Sequence, residues 1–392
     1  MAHYRYLIIG GGMAAAAAIQ GIREVDSTGS IGLIGSEQDR PYQRPPLSKA
    51  LWKGEPLDRV RIDLPEQGVE LLLGRTASVL DAEHKRVVDD RGAVFTFDRL
   101  LLATGGSPRR LPWGGDDVIY YRTLGDYQRL RALAERGRRF VVIGGGFIGS
   151  EIAAALAMNG KEVALLFPGA AIGQRMFGPE LGAFLNAYYR ERGVEVLPGE
   201  TARGLERRGE QLALRTSGGR ELLVDGVVAG IGIEPNVALA QAAGLEVDDG
   251  IVVDALLRTS HPDIFAAGDV ANFLSPSLGR RVRVEHEDNA NTMGRHAGRN
   301  MAGVRAPYEH LPFFYSDLFD LGYEAVGELD AQLEIVADWK EPFREGVLYY
   351  LRDARVCGVL LWNVWEQVDA ARDLIGQPGP FAAADLVGRL PA

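Results

Sequence analysis

The chain has 392 residues, 46% apolar and 24% charged, with a net charge of −10 and a pI near 5.3. At this length two or three domains are expected, and the acidity argues against bulk attraction to a nucleic-acid backbone. The sole cysteine, Cys357, excludes a disulfide framework, a dithiol redox centre and a multi-cysteine metal site within one chain. No apolar run approaches the roughly 20 residues of a membrane span.

The first residues run directly into an apolar strand over 4–9, leaving no room for a targeting segment, so a cytoplasmic location is expected. The turn Gly10-Gly11-Gly12 follows, then a helix over 13–22 and a strand over 31–34, the pattern of a parallel βαβ unit. Gly10 and Gly12 supply a tight turn and close backbone approach to a pyrophosphate, and Ala15 takes the place of a third glycine. Glu37 lies 27 positions past Gly10, where an acid can accept both ribose hydroxyls of an adenosine. The prolines of 41–46 forbid a helix before Leu47. Short strands are predicted over 69–103, and the pattern changes near 113–120.

A helix over Leu124–Arg136 leads into a second βαβ unit: strand 140–143, helix 147–158, a stop at Asn159-Gly160 and strand 162–167. Here Gly144, Gly146 and Gly149 have the full glycine spacing, with Phe147 and Ile148 between them. The matching acid is missing, since the second strand runs into Pro168-Gly169-Ala170; Arg175 is nearby. Strands over 346–352 and 356–364 flank a hairpin at Asp353-Ala354-Arg355, and a helix is predicted over 365–375. Two glycine turns of this kind in one chain indicate two bound dinucleotides with electrons passing between them.

The order of Gly10-Gly11-Gly12, Pro41-Tyr42-Gln43-Arg44-Pro45-Pro46-Leu47-Ser48-Lys49, Ala103-Thr104-Gly105, the second glycine turn and Ala266-Ala267-Gly268-Asp269 resembles the FAD-dependent pyridine nucleotide-disulfide oxidoreductases. Within these it is similar to the branch of apoptosis-inducing factor and oxygenase-coupled ferredoxin reductases, through residues 44–52, Gly144 to Glu151, Gly232 to Asn236, Val284 to His286 and Tyr315-Ser316-Asp317. The resemblance implies an α/β, glutathione-reductase-like fold: two Rossmann-like dinucleotide-binding domains plus a C-terminal α+β domain. The expected boundaries are 1–115 and 244–310 for FAD, 116–243 for NAD(P) and 311–392 for the C-terminal domain.

The resemblance also implies roles. Gly10, Gly12, Ala15, Glu37, Arg44, Thr104, Gly105, Gly268 and Asp269 hold FAD. Gly144, Gly146, Phe147, Ile148, Gly149 and Gly232 hold NADH or NADPH, with NADH preferred. Lys49 and Glu151 are the catalytic candidates, a lysine beside the reactive flavin edge paired with a glutamate. Glu285 lies near the nicotinamide carboxamide and His286 near the flavin's pyrimidine end. Tyr315 stands where the branch often has tryptophan. No metal is expected. The implied activity is an NAD(P)H-dependent flavoprotein reductase serving a ferredoxin- or rubredoxin-type carrier. Arg280, Arg281, Arg283, Arg295 and Arg299 are candidates for the docking face. Alternatives are an oxidoreductase like apoptosis-inducing factor that uses quinone or oxygen, and a redox sensor that changes assembly. A homodimer is compatible with each.

Overall fold

The computed structural model describes residues 1–65 and 67–391, which divide into two compact units. The first comprises Met1–Gln43, Leu57–Ser107 and Glu234–Pro312; the second comprises Arg44–Pro56, Pro108–Ile233 and Phe313–Ala392.

In the first unit the strands Val69–Leu73, Ile31–Gly35, Ala2–Ile9 and Val94–Leu102 lie side by side and parallel, and Ile264–Ala266 also pairs with Val94–Leu102. Ile9, Ile34, Leu102 and Ala266 come into register, so the turns that follow them emerge from the carboxyl ends of adjacent strands. Such a row is where open α/β sheets bind ligands. The carboxyl ends of the two central strands, Leu7-Ile8-Ile9 and Leu100-Leu101-Leu102, are apolar and buried because both faces are covered there. One cover is the helix Met13–Arg23, which packs closely on the helix Glu287–Met301. A Cβ at Gly294 would overlap the Ala14 carbonyl, and one at Gly298 would overlap that of Ala18. The run Ala14–Ala18 is thus a backbone-to-backbone contact surface.

The second unit contains a parallel sheet in the order Val194–Pro198, Glu162–Phe167, Arg139–Ile143, Gly226–Ala229, Val118–Tyr120. A three-stranded antiparallel sheet and a separate C-terminal sheet complete it. The C-terminal sheet runs Phe313–Leu318, Leu321–Gly327, Arg355–Trp362, Glu345–Arg352, Glu334–Glu341, antiparallel throughout, with the helix Val368–Ile375 against it.

Three predicted boundaries are corrected. A 3₁₀ turn begins at Pro45, before Leu47, because a proline in the first helical turn removes only a donor that has no partner there. The last predicted strand ends at Trp362, not Val364, and the helix predicted after it starts at Val368, not Trp365. Asn363 and Glu366 take left-handed backbone angles (φ 51° and 63°), which break both elements. Asn363 fixes that break: its Oδ1 accepts from Gly322 N–H at 2.7 Å, and its amide donates to the Arg344 carbonyl at 2.8 Å. The hairpin turn is Asp353-Ala354, both left-handed, as a two-residue type I′ turn requires.

Candidate functional site: two glycine cradles and a buried lysine–glutamate pair

In the first unit Gly10 has φ +119°, and a Cβ there would overlap the Ala103 carbonyl. Gly12 begins the helix Met13–Arg23 with no side-chain cap, and a Cβ on it would meet nothing within 4 Å. The helix start thus has no side-chain cap and open space beside Gly12, and its positive end suits a pyrophosphate. Ala15 is fully buried beneath this turn. Glu37 lies two residues past the strand Ile31–Gly35, and its Oε2 accepts from the buried Tyr42 hydroxyl at 2.6 Å. Thr104 and Gly105 are clamped by Asn236. Thr104 Oγ1 donates to the Asn236 carbonyl, Asn236 Nδ2 to the Thr104 carbonyl (both 2.8 Å), and Asn236 N–H to Gly105 O at 2.9 Å. Gly268 is left-handed at φ +78°, and a Cβ on it would come within 2.8 Å of Ala14 Cβ, which brings the turn carrying Asp269 over the same helix.

Glu285 and His286 also belong to this unit, immediately before the helix Glu287–Met301, where His286 is the N-cap residue. Glu285 is held by Arg283, which also pairs with Asp249 at 2.9 Å. Arg295 and Arg299 both turn to Glu24, and Arg281 donates to the Val253 and Asn272 carbonyls. The arginines suggested as a docking face thus have local partners.

In the second unit the construction repeats. Gly144 (φ +117°) would overlap the Gly230 carbonyl if it carried a Cβ, and Gly149 would overlap the Gly144 carbonyl. Gly146 starts the helix Phe147–Met158 uncapped, with open space around its hypothetical Cβ. This turn fits a pyrophosphate by the same criterion. Phe147 packs edge-on against Phe314 at 5.4 Å between ring centres, and Ile148 lies against Gly230. Gly232 is left-handed (φ +94°), and its carbonyl accepts from Arg109 N–H at 3.0 Å. Arg44 lies in this unit too, donating to the Arg122 carbonyl at 2.8 Å.

One turn into that helix, Glu151 is only 3% exposed. Lys49 Nζ lies 2.8 Å from Glu151 Oε1, which also accepts from Ser316 Oγ at 2.6 Å; Oε2 accepts from Ser48 Oγ at 2.6 Å. Lys49 Nζ also stands 5.1 Å from the centre of the Tyr315 ring. Burial first, and the Glu151 charge second, push the hydroxyls of Tyr189 and Tyr323 well above their ordinary value, so both remain neutral. One cation and two hydroxyls thus satisfy both oxygens of this buried carboxylate. Sequence reasoning paired Lys49 with Glu151 but missed Ser48, and gave Ser316 and Asn236 no role. Their only signal was membership of the quoted motifs, because a hydroxyl's partner becomes visible only once the chain is folded.

A model of the pyridine nucleotide-disulphide oxidoreductase family matches residues 4–294, and one of the apoptosis-inducing factor C-terminal region matches 297–342 and 337–377. A putative mitochondrial apoptosis-inducing factor 1 of Drosophila melanogaster is 31% identical over 99% of this chain, which spans 65% of that protein's length. The ferredoxin–NAD(+) reductase component of an anthranilate 1,2-dioxygenase system from Burkholderia cepacia is 35% identical over 97% of each chain. The structure is similar to that of putidaredoxin reductase in its covalent complex with putidaredoxin, with a TM-score of 0.89, 33% identity and coverage of 96% of this chain and 94% of that one. With both glycine turns inside the matched region, the chain belongs to the pyridine nucleotide-disulphide oxidoreductase family.

Proposed function

We propose that this chain is an FAD-dependent NAD(P)H oxidoreductase that passes electrons from the nicotinamide through FAD to a ferredoxin- or rubredoxin-type protein. The observation that carries it is the duplicated cradle: two uncapped helix starts, each behind a positive-φ glycine and each with open space at the glycine that begins the helix, Gly12 and Gly146. The first would hold FAD through Gly10, Gly12, Ala15, Glu37, Thr104, Gly105, Gly268 and Asp269, with Arg44 contributing. The second would hold the hydride donor through Gly144, Gly146, Phe147, Ile148, Gly149 and Gly232, with Glu285 and His286 placed as the family resemblance implies. The division into FAD (1–115, 244–310), NAD(P) (116–243) and C-terminal (311–392) domains is part of the same proposal. So is a cytoplasmic location; no helix among the described residues is long and apolar enough to cross a membrane.

Bound FAD supplies the redox chemistry, accepting two electrons and releasing them singly. The protein's part is orientation and charge. The Lys49 ammonium offsets negative charge arising beside it, Glu151 holds that ammonium in place, and Ser48 and Ser316 hold Glu151. Tyr315 gives Lys49 an aromatic face on which to rest. No cysteine lies between Arg44 and Lys49, so the electrons must leave for an external acceptor. The Burkholderia protein is named for a ferredoxin and the structural relative was captured with putidaredoxin, which supports a small carrier protein as that acceptor.

The match to the apoptosis-inducing factor C-terminal region favours a second reading, transfer to quinone or oxygen. Turnover of NADH with ferredoxin plus cytochrome c, compared with a naphthoquinone and with air alone, separates the two. A rate with carrier no higher than in air sinks the first. A purified chain that is colourless, and remains so after refolding with FAD, sinks both. A redox sensor would instead change its elution volume on adding NADH.

A further inference from the structure

The two cradles share a register that allows them to be compared residue by residue. In the first, the Cβ of Gly11 would lie 3.5 Å from Gly35 Cα, at the end of strand Ile31–Gly35, and Glu37 stands two residues beyond. In the second, the Cβ of Gly145 would lie 2.8 Å from the Phe167 ring, at the end of strand Glu162–Phe167, and Gly169 stands two residues beyond. Gly169 therefore occupies the place of the ribose-binding acid. From Val163 to Arg175 there is no aspartate or glutamate at all. An acid at this point accepts the ribose 2′-hydroxyl and repels a 2′-phosphate, and an arginine nearby accommodates that phosphate.

The loop after Phe167 is pinned to the cradle. Gly173 N–H donates to Gly145 O at 2.8 Å, and Gly199 N–H to Gly169 O at 2.9 Å. Asn186 ties Ile172 N–H and the Ala170 carbonyl, at 3.1 and 2.8 Å, and Ala331 N–H donates to the Arg175 carbonyl at 3.0 Å. The backbone of Arg175 is thus fixed two residues from a direct contact with the glycine turn. Its side chain is exposed, and no carboxylate pairs with it among the described residues.

We propose that this cradle accepts NADPH as well as NADH, with Arg175 receiving the adenosine 2′-phosphate and Gly169 leaving the ribose without an opposing acid. This rests on the hydride-donor role proposed above for the second cradle, and it replaces the preference for NADH that family resemblance suggests. Nothing at the site rewards the free 2′-hydroxyl, whereas a guanidinium can hold a phosphate through two charge-assisted hydrogen bonds.

The test compares the wild-type holoenzyme with Gly169→Glu, Arg175→Ala and Arg175→Lys. A Cβ at Gly169 would first meet the movable Oε1 of Gln174, which holds the Ala170 N–H, and Arg175 is on the surface, so folding is expected in each. Anaerobic flavin reduction should proceed with both nucleotides, their kcat/KM values within about tenfold of each other. The NADPH-to-NADH ratio should fall about tenfold in Arg175→Ala and in Gly169→Glu, and recover in part in Arg175→Lys. Calorimetry supplies a readout independent of the flavin: adenosine 2′,5′-bisphosphate should bind the wild type more tightly than AMP, and Arg175→Ala should erase the difference. Equal binding of the two, or a ratio unmoved by Arg175→Ala, overturns the proposal. Reduction by NADH but not NADPH also overturns it, while leaving the hydride-donor role intact. Reduction by neither defeats that role instead, and the calorimetry still judges Arg175.

Discussion

Glu151 gathers three donors onto two buried oxygens, and the consequences differ for each partner. Glu151→Gln keeps the shape but leaves the Lys49 ammonium, itself 12% exposed, without its counter-charge. Removing one partner of a buried pair costs about 3–5 kcal/mol, so this variant should melt well below the wild type and reduce its flavin slowly. Ser316→Ala withdraws one neutral donor and should cost about 1–3 kcal/mol in urea unfolding. Unchanged stability there would show Ser316 to be idle. Gly146→Glu should keep the flavin spectrum and abolish reduction by either nicotinamide, because a charged side chain would fill the open space at the helix start. Normal reduction kinetics in that variant would remove the second cradle from the reading. Lys49 and Glu151 were legible in the sequence as a pair only through the family resemblance, being 102 positions apart. The serines that hold them carry no periodicity or spacing of their own.

Between elements, the tightest contact lies where the helix Met13–Arg23 meets Glu287–Met301. At Gly298 a Cβ would strike the Ala18 carbonyl, which is main chain and cannot move aside. Gly298→Val should therefore destabilise by roughly 1–3 kcal/mol or more, seen as a lower Tm. The alanine-rich pattern of the first helix was readable as close packing, but its partner, some 270 residues later, was not. Asp26 closes the loop after that first helix. Its carboxylate is held down to about 2, from 3.8, chiefly by the Gly29 N–H, then by Thr28 and the Tyr6 hydroxyl, against an opposing push from burial. A carboxyl whose folded value is depressed contributes stability above its unfolded value and loses it as pH falls. Asp26→Asn should accordingly flatten the acid limb of the stability curve between pH 3.8 and about 2. An acid limb identical to that of the wild type would show that these bonds do not persist in solution.

At the level of the whole molecule the net charge of −10 bears on the acceptor. Arg281, Arg283, Arg295 and Arg299 already have local partners, so they do not form a free basic face. An acidic carrier would then meet net repulsion at long range, over a Debye length of about 30 Å at 0.01 M salt and about 8 Å at 0.15 M. Carrier reduction should therefore accelerate as salt rises over that interval. A rate that falls instead would point to a basic patch elsewhere that steers the encounter.

Local chemistry was enough to reveal the two cradles, because glycine spacing, an uncapped helix start and an apolar strand are contiguous in the chain. It also excluded an internal dithiol, since one cysteine cannot make one. Folding alone could decide which side chains hold the buried glutamate, where the helix Val368–Ile375 begins and which arginines are already paired. Each of those outcomes depends on groups far apart in sequence, meeting at distances that only the packed chain sets.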